Sequence, residues 1–233
     1  MRHDGWVTPL PSPAERLTAC LDDHAGGLVQ AYFDVDRPFS GDTFDTLGDN
    51  PPTVFVRDDF LALTCLDESI PPRTLRWLLG TQGQAVISPM LAAVPVAVAL
   101  GADGDERALA HAQRLWDALQ MGHGIGPTKA GKLLARKRPN LVPIVDSVVT
   151  SVVGAPTGEY WSTYRQVMTD TAAVERLEAI WAAAGSPNVS LLRILDVTVW
   201  MRGSRSRSAE GVRAYLKVPP LPWMGTQPVG SPP

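Results

Sequence analysis

The chain has 233 residues, 45 % of them hydrophobic and 19 % charged, and a formal net charge of −3. That length supports a proper core, and the composition excludes a disordered chain or a coiled coil. A net-acidic protein is not coated with nucleic acid along a whole face, so any such contact has to be local. The two cysteines, Cys20 and Cys65, exclude a disulfide framework and a four-cysteine metal site.

Residues 1–12 are polar and proline-rich, with no basic-then-apolar leader pattern. They are expected to be a mobile tail, as is the Pro-, Gly- and Ser-rich stretch 218–233. Between them, 13–217 reads as one helical domain, in one or two lobes. Pro13 to Phe33 predicts a helix weakened at Gly26-Gly27. Cys20 and His24 share its spacing, but without further ligands nearby they read as a small buried residue and an exposed histidine. Asp36 to Pro52 is dense in turn-forming residues and predicts a long loop. Thr53 to Val56 is the one candidate strand. Asp58 or Asp59 is placed to cap a helix through Leu66, and Pro72 opens another that stops at Gly80.

The longest apolar run, Pro89 to Leu100, is broken by Pro95. It is too short to cross a bilayer and predicts a buried helix or two half-helices. No membrane segment is expected, and the cytoplasm is the default location. Helical spacing then recurs over Glu106 to Met121 and Pro127 to Lys137. It appears again in Val148, Val149, Val152 and Val153, in Val174 to Trp181 ending at Gly185, and after Ser190 as far as Gly203. Trp161, Trp181 and Trp200 are expected in the core. Arg202 to Arg213 reads either as an additional backbone contact or as a solvated linker.

The informative segment lies between the two helices of 106–137. Gly122, Gly124 and Gly126 permit positive φ and close approach of another backbone. Pro127 suits the first turn of the helix that follows. The unpaired amides of that helix start, together with those of the turn, make an anion site suited to phosphate. Five basic residues follow Met121 before Asn140, namely Lys129, Lys132, Arg136, Lys137 and Arg138, with no acid among them. The competing reading is an ordinary helical hairpin whose basic end the helix dipole favours anyway. The glycine spacing of Gly126 to Lys132 also suggests a nucleotide P-loop. Leu133 stands where the magnesium-binding hydroxyl belongs, however, and a helix leads in where a strand is needed.

Gly124-Ile125-Gly126-Pro127-Thr128-Lys129-Ala130, followed by Val142-Pro143-Ile144-Val145-Asp146-Ser147, resembles the helix-hairpin-helix DNA glycosylase superfamily, of the endonuclease III type. The resemblance covers roughly Leu115 to Val153. It implies a mainly α, glycosylase-like helical architecture whose hairpin grips a DNA backbone. Gly122, Gly124, Gly126, Thr128, Lys129, Lys132 and Arg136 would make those contacts, and Asp146, eighteen residues beyond Thr128, would serve catalysis. The chain looks like a bacterial branch without the catalytic lysine or the iron–sulfur cluster. Thr128 stands where lyase-competent members carry a lysine, so the resemblance implies a monofunctional base-removing hydrolase and not a lyase, with no metal or cofactor. Asp146 also reads as a plain helix N-cap. Asp196 reads as a second pocket carboxylate or as the partner of Arg193. The alternative function is a non-enzymatic DNA-binding or protein-interaction module on the same scaffold.

Overall fold

The computed structural model describes residues 9–39 and 41–224, and it is mainly helical, with thirteen helices and no strand among the described residues. Ser12 caps α1 (Pro13–Ala19) in a reciprocal capping box with Glu15. The chain turns after Cys20 and resumes as α2 (Ala25–Phe33). The single helix expected over 13–33 is therefore two, and the break falls before Gly26-Gly27, which lie inside α2. A short helix, α3 (Gly41–Thr46), interrupts the loop expected over 36–52. In place of the candidate strand at 53–56, Val56 precedes α4 (Arg57–Thr64), and the Asp59 carboxylate accepts the Val56 amide at 2.7 Å.

Next come α5 (Pro72–Leu79) and α6 (Thr81–Ala92), the latter ending inside the apolar run. The hairpin helices are α7 (Asp105–Gln120) and α8 (Pro127–Lys137). Asp146 caps α9 (Ser147–Val153). Then follow α10 (Tyr160–Met168), α11 (Thr171–Ala183), α12 (Leu191–Gly203) and α13 (Arg207–Tyr215). The stretch read as a contact or linker after Arg202 is thus largely helix α13, with Ser206 as its cap. No helix among the described residues is long and apolar enough to cross a membrane.

Two hydrophobic cores organise these elements. One gathers α1 and α2 with α9 to α13, so the start of the chain returns to pack on its end. Its centre is α12, buried along nearly its whole length. At Gly203 a Cβ would sit 2.2 Å from Val152 Cγ2, so only glycine lets α12 lie this close to α9. The other core is built by α3 to α8, with Ala108, Ala112, Leu115 and Leu119 of α7 facing Leu133 and Leu134 of α8. The segment after α13 does not hang free as far as it is described. Leu221 is buried, and the Trp223 indole donates to Val152 O at 2.8 Å. The outer parts of both expected tails, 1–8 and 225–233, lie outside the described residues.

The basic end of α8 departs most from expectation. Arg136, Lys137 and Arg138 are all buried. Asp59 receives Arg136 Nε at 3.0 Å and Lys137 Nζ at 2.6 Å. Arg136 also donates to the carbonyls of Phe44 and Leu47. Arg138 has no counter-ion among the described residues, but it donates to the carbonyls of Val94, Pro52, Lys137 and Leu91. Burial pulls the Lys137 and Arg138 pKa values down. These cations are hydrogen-bonded because an unpaired buried charge would be far too costly. They fasten α8 to α3, α4 and the 47–52 loop.

Candidate functional site

A cleft of about 500 Å³ runs between the two cores. Thr128 and Lys132 of α8 line it together with the residues around Asp146 and one face of α12. The hairpin turn stands at the start of the α8 wall. Its Gly124 has φ +75, a left-handed conformation, and a Cβ there would meet Pro71 Cγ at 2.4 Å. His123, Gly124, Gly126 and Pro127 are exposed, while Ile125 anchors the turn in the core. Gly126 is the N-cap of α8 and no side chain caps that end, so the first amides of the helix lack an intramolecular cap. Lys129 is half-buried and donates from Nζ to Gly124 O at 3.1 Å, bracing the turn.

Asp146 is half-buried on the cleft wall. Its Oδ1 accepts the Val149 amide at 2.9 Å, and its Oδ2 has no hydrogen-bond donor among the described residues. The N-cap reading is correct, and it engages one carboxylate oxygen of a residue that also lines the cavity. Asp196, also on the cleft, is nearly fully buried. Its Oδ2 accepts from Ile144 N at 2.9 Å and from Arg193 Nη1 at 3.4 Å, which ties α12 to the segment that delivers Asp146. Both readings of Asp196 therefore hold, although the stronger partner of Arg193 is Asp45, gripped by two guanidinium nitrogens at 2.9–3.1 Å.

Two buried side-chain atoms lack a hydrogen-bond partner among the described residues, Asp196 Oδ1 and the Tyr164 hydroxyl. Burial, opposed by Arg193 and aided by Asp146 and Asp45, pushes the Asp196 carboxyl up to about 7. It thus holds its proton well above the usual carboxylate range. Burial, with the nearby Asp196 carboxylate, raises the Tyr164 phenol as well.

The remaining wall is aromatic. Tyr32 and Phe39 stack with centroids 5.3 Å apart, and Trp200 meets them edge-on at 5.8 and 6.1 Å. Trp200 packs half-buried against the first core, as Trp181 does, and also lines the cleft, and Trp161 packs half-buried against the other core. Sequence reasoning missed Tyr32 and Phe39, which lie far from the hairpin in the chain. Nothing in their local pattern marks them.

The structure brings Thr128 and Asp146 to one cavity, while Gly124, Gly126 and Lys129, neighbours of Thr128 in the chain, are not among the residues that line it. Gly122 sits half-buried behind the turn, against Thr74 and Ile125. Two of the expected backbone contacts are corrected. Lys132 is buried and donates to Leu66 O at 2.8 Å and to the Glu68 carboxylate at 3.3 Å, and Arg136 is enclosed with Asp59. Arg136 points back into the protein, and Lys132, although on the cleft wall, is turned onto Leu66 and Glu68 along that wall. Neither is free to meet a phosphate.

A family model matches residues 25–203. The chain belongs to DUF6308, a family of unknown function. The matched region runs from α2 through α12 and so contains the whole of the α3–α8 core, most of the other core, the hairpin, Asp146, Asp196 and the aromatic wall. It leaves out α1 and α13. Comparison with curated proteins and with solved structures returned no match.

Proposed function

We propose that the protein binds DNA through the 121–129 hairpin and hydrolyses an N-glycosidic bond in the cleft, as a monofunctional glycosylase of helix-hairpin-helix type. One observation carries the reading: Asp146, with one carboxylate oxygen unengaged among the described residues, lines a cavity of about 500 Å³ that Thr128, in the first turn of the hairpin helix, also lines. That volume is in the range of small-molecule sites, and a nucleotide turned out of the duplex reaches the cleft directly from a backbone held at Gly124 to Lys129. Its base would lie along Tyr32, Phe39 and Trp200. As the bond from the sugar C1′ to the base nitrogen breaks, the electron pair leaves with the base and positive charge grows on the sugar. The Asp146 carboxylate stabilises that charge and orients the water that adds to C1′. Thr128 offers no amine, so a Schiff-base lyase step has no nucleophile at that position.

The test is a panel of duplexes carrying damaged or mismatched bases, read for abasic sites. The wild type should release a base from at least one, and Asp146→Asn should not. Asparagine caps a helix as well as aspartate does, so that variant should keep its fold. Duplex binding without any abasic product across the panel would leave the enzymatic half of the reading without support.

The second reading, a non-enzymatic module on the same scaffold, is favoured by the burial of Lys132, Arg136, Lys137 and Arg138. That burial removes four of the five cations of 121–140 from solvent. It predicts no measurable affinity for duplex DNA even at low salt.

A further inference from the structure

With those four cations engaged inside the protein, Lys129, half-buried against the hairpin turn, is the one lysine or arginine of 121–140 that is not buried. A single cation gives weak, barely salt-dependent attachment to a polyanion. The missing charge stands on α5, which sequence reading did not connect with the hairpin. The first turn of α5 and the hairpin turn are joined: Thr74 Oγ1 donates to His123 O at 2.7 Å, and the ring of Pro71 fills the space left by the absent side chain of Gly124. Thr74 and Leu78 face the core. The opposite side of the helix carries Arg73 and Arg76 with Trp77, all exposed. The two arginines lie three apart and so share a face. Neither has an ion-pair partner among the described residues. Of the acids just before α5, Glu68 is held by Lys132, and Asp67 lines the cleft.

We propose that Arg73 and Arg76 on α5 complete the backbone-binding surface of the hairpin, forming with Lys129 and the Gly124–Gly126 turn a strip that takes the phosphodiester backbone of duplex DNA. Charge complementarity selects the occupant, since the strip joins unpaired guanidinium groups to an exposed, uncapped turn. Guanidinium groups pair with phosphate oxygens two at a time. The surface rests on the DNA-binding reading above and extends it to a helix outside the recognised motif.

The experiment is duplex binding by the full chain at several salt concentrations, for the wild type, Arg73→Glu, Arg76→Glu and, as a charge-matched control on the other core, the exposed Lys217→Glu. All four should share one circular-dichroism spectrum and one unfolding midpoint, because both arginines are on the surface. Each arginine reversal should weaken binding about tenfold at low salt and flatten the slope of log affinity against log salt by about one, while the control changes neither. Arginine variants that bind and titrate like the control would overturn the α5 surface and leave the hairpin reading standing. A wild type that binds no duplex would overturn both, and tighter binding to single-stranded RNA than to duplex DNA would overturn the occupant proposed here.

Discussion

The two ends of α8 carry the same kind of sequence and meet different fates. At its C-terminal end three consecutive cations are buried, and each is met: Asp59 takes Arg136 and Lys137, and four carbonyls take Arg138. At its N-terminal end the turn is exposed and uncapped, and the cleft beside it holds groups left unmatched. Among the described residues, Asp146 keeps one oxygen unengaged and Asp196 Oδ1 is buried without a partner, as is the hydroxyl of the core residue Tyr164, which does not line the cleft. Satisfied buried charge at one end fastens the fold. Unsatisfied polar groups around a cavity at the other end are tolerated at a cost in stability, which is the usual mark of a site.

The largest expected effect lies at the satisfied end. Arg136→Met removes one of the two cationic partners of the Asp59 carboxylate and should destabilise the protein by about 3–5 kcal/mol in urea unfolding. A loss below about 1 kcal/mol would mean that the network is not what holds α8 to α4.

Asp196→Asn probes the unsatisfied end and should act with the opposite sign. The carboxyl titrates near 4 when unfolded and near 7 when folded. Between those values the unfolded chain ionises while the folded protein keeps its proton, so the contribution of this group to stability falls as pH rises. The slope approaches about 1.4 kcal/mol per pH unit. Asparagine lacks that loss, so the variant should gain on the wild type between pH 4 and 7. Parallel stability curves would place the Asp196 pKa near its ordinary value.

Gly124→Ala forces a side chain into left-handed backbone and against Pro71. A cost of about 1–3 kcal/mol is expected, with a loss of duplex affinity. Smallest of all, Lys129→Ala should leave thermal stability within about 0.5 kcal/mol of the wild type. A larger drop would mean that the bond from Lys129 to Gly124 O carries the turn.

Much of this was legible in the sequence, for local reasons. Pro127 and Ser190 mark the starts of α8 and α12 because proline at the first turn and serine at the cap act on neighbouring residues alone. Asp146 was legible as a cap for the same reason. The burial of Arg136 was not, because its partner Asp59 lies 77 positions away and a charge count records sign but not company. The aromatic wall draws on residues 32, 39 and 200, which meet only once the first helices have packed on the last. Helix α13 was hidden because Arg and Ser alternate before it as they do in a linker, and only the Ser206 cap distinguishes the two.

The central claim is that duplex DNA touches the unsatisfied end of α8 and not the satisfied one. Backbone amide shifts measured by NMR while a short duplex is added to the full chain test this directly. The account predicts progressive shifts at Gly124, Gly126, Thr128 and Lys129, which weaken as salt is raised, and none at Arg136 to Arg138. Shifts confined to other surfaces, or none in the turn at saturating duplex, would contradict it.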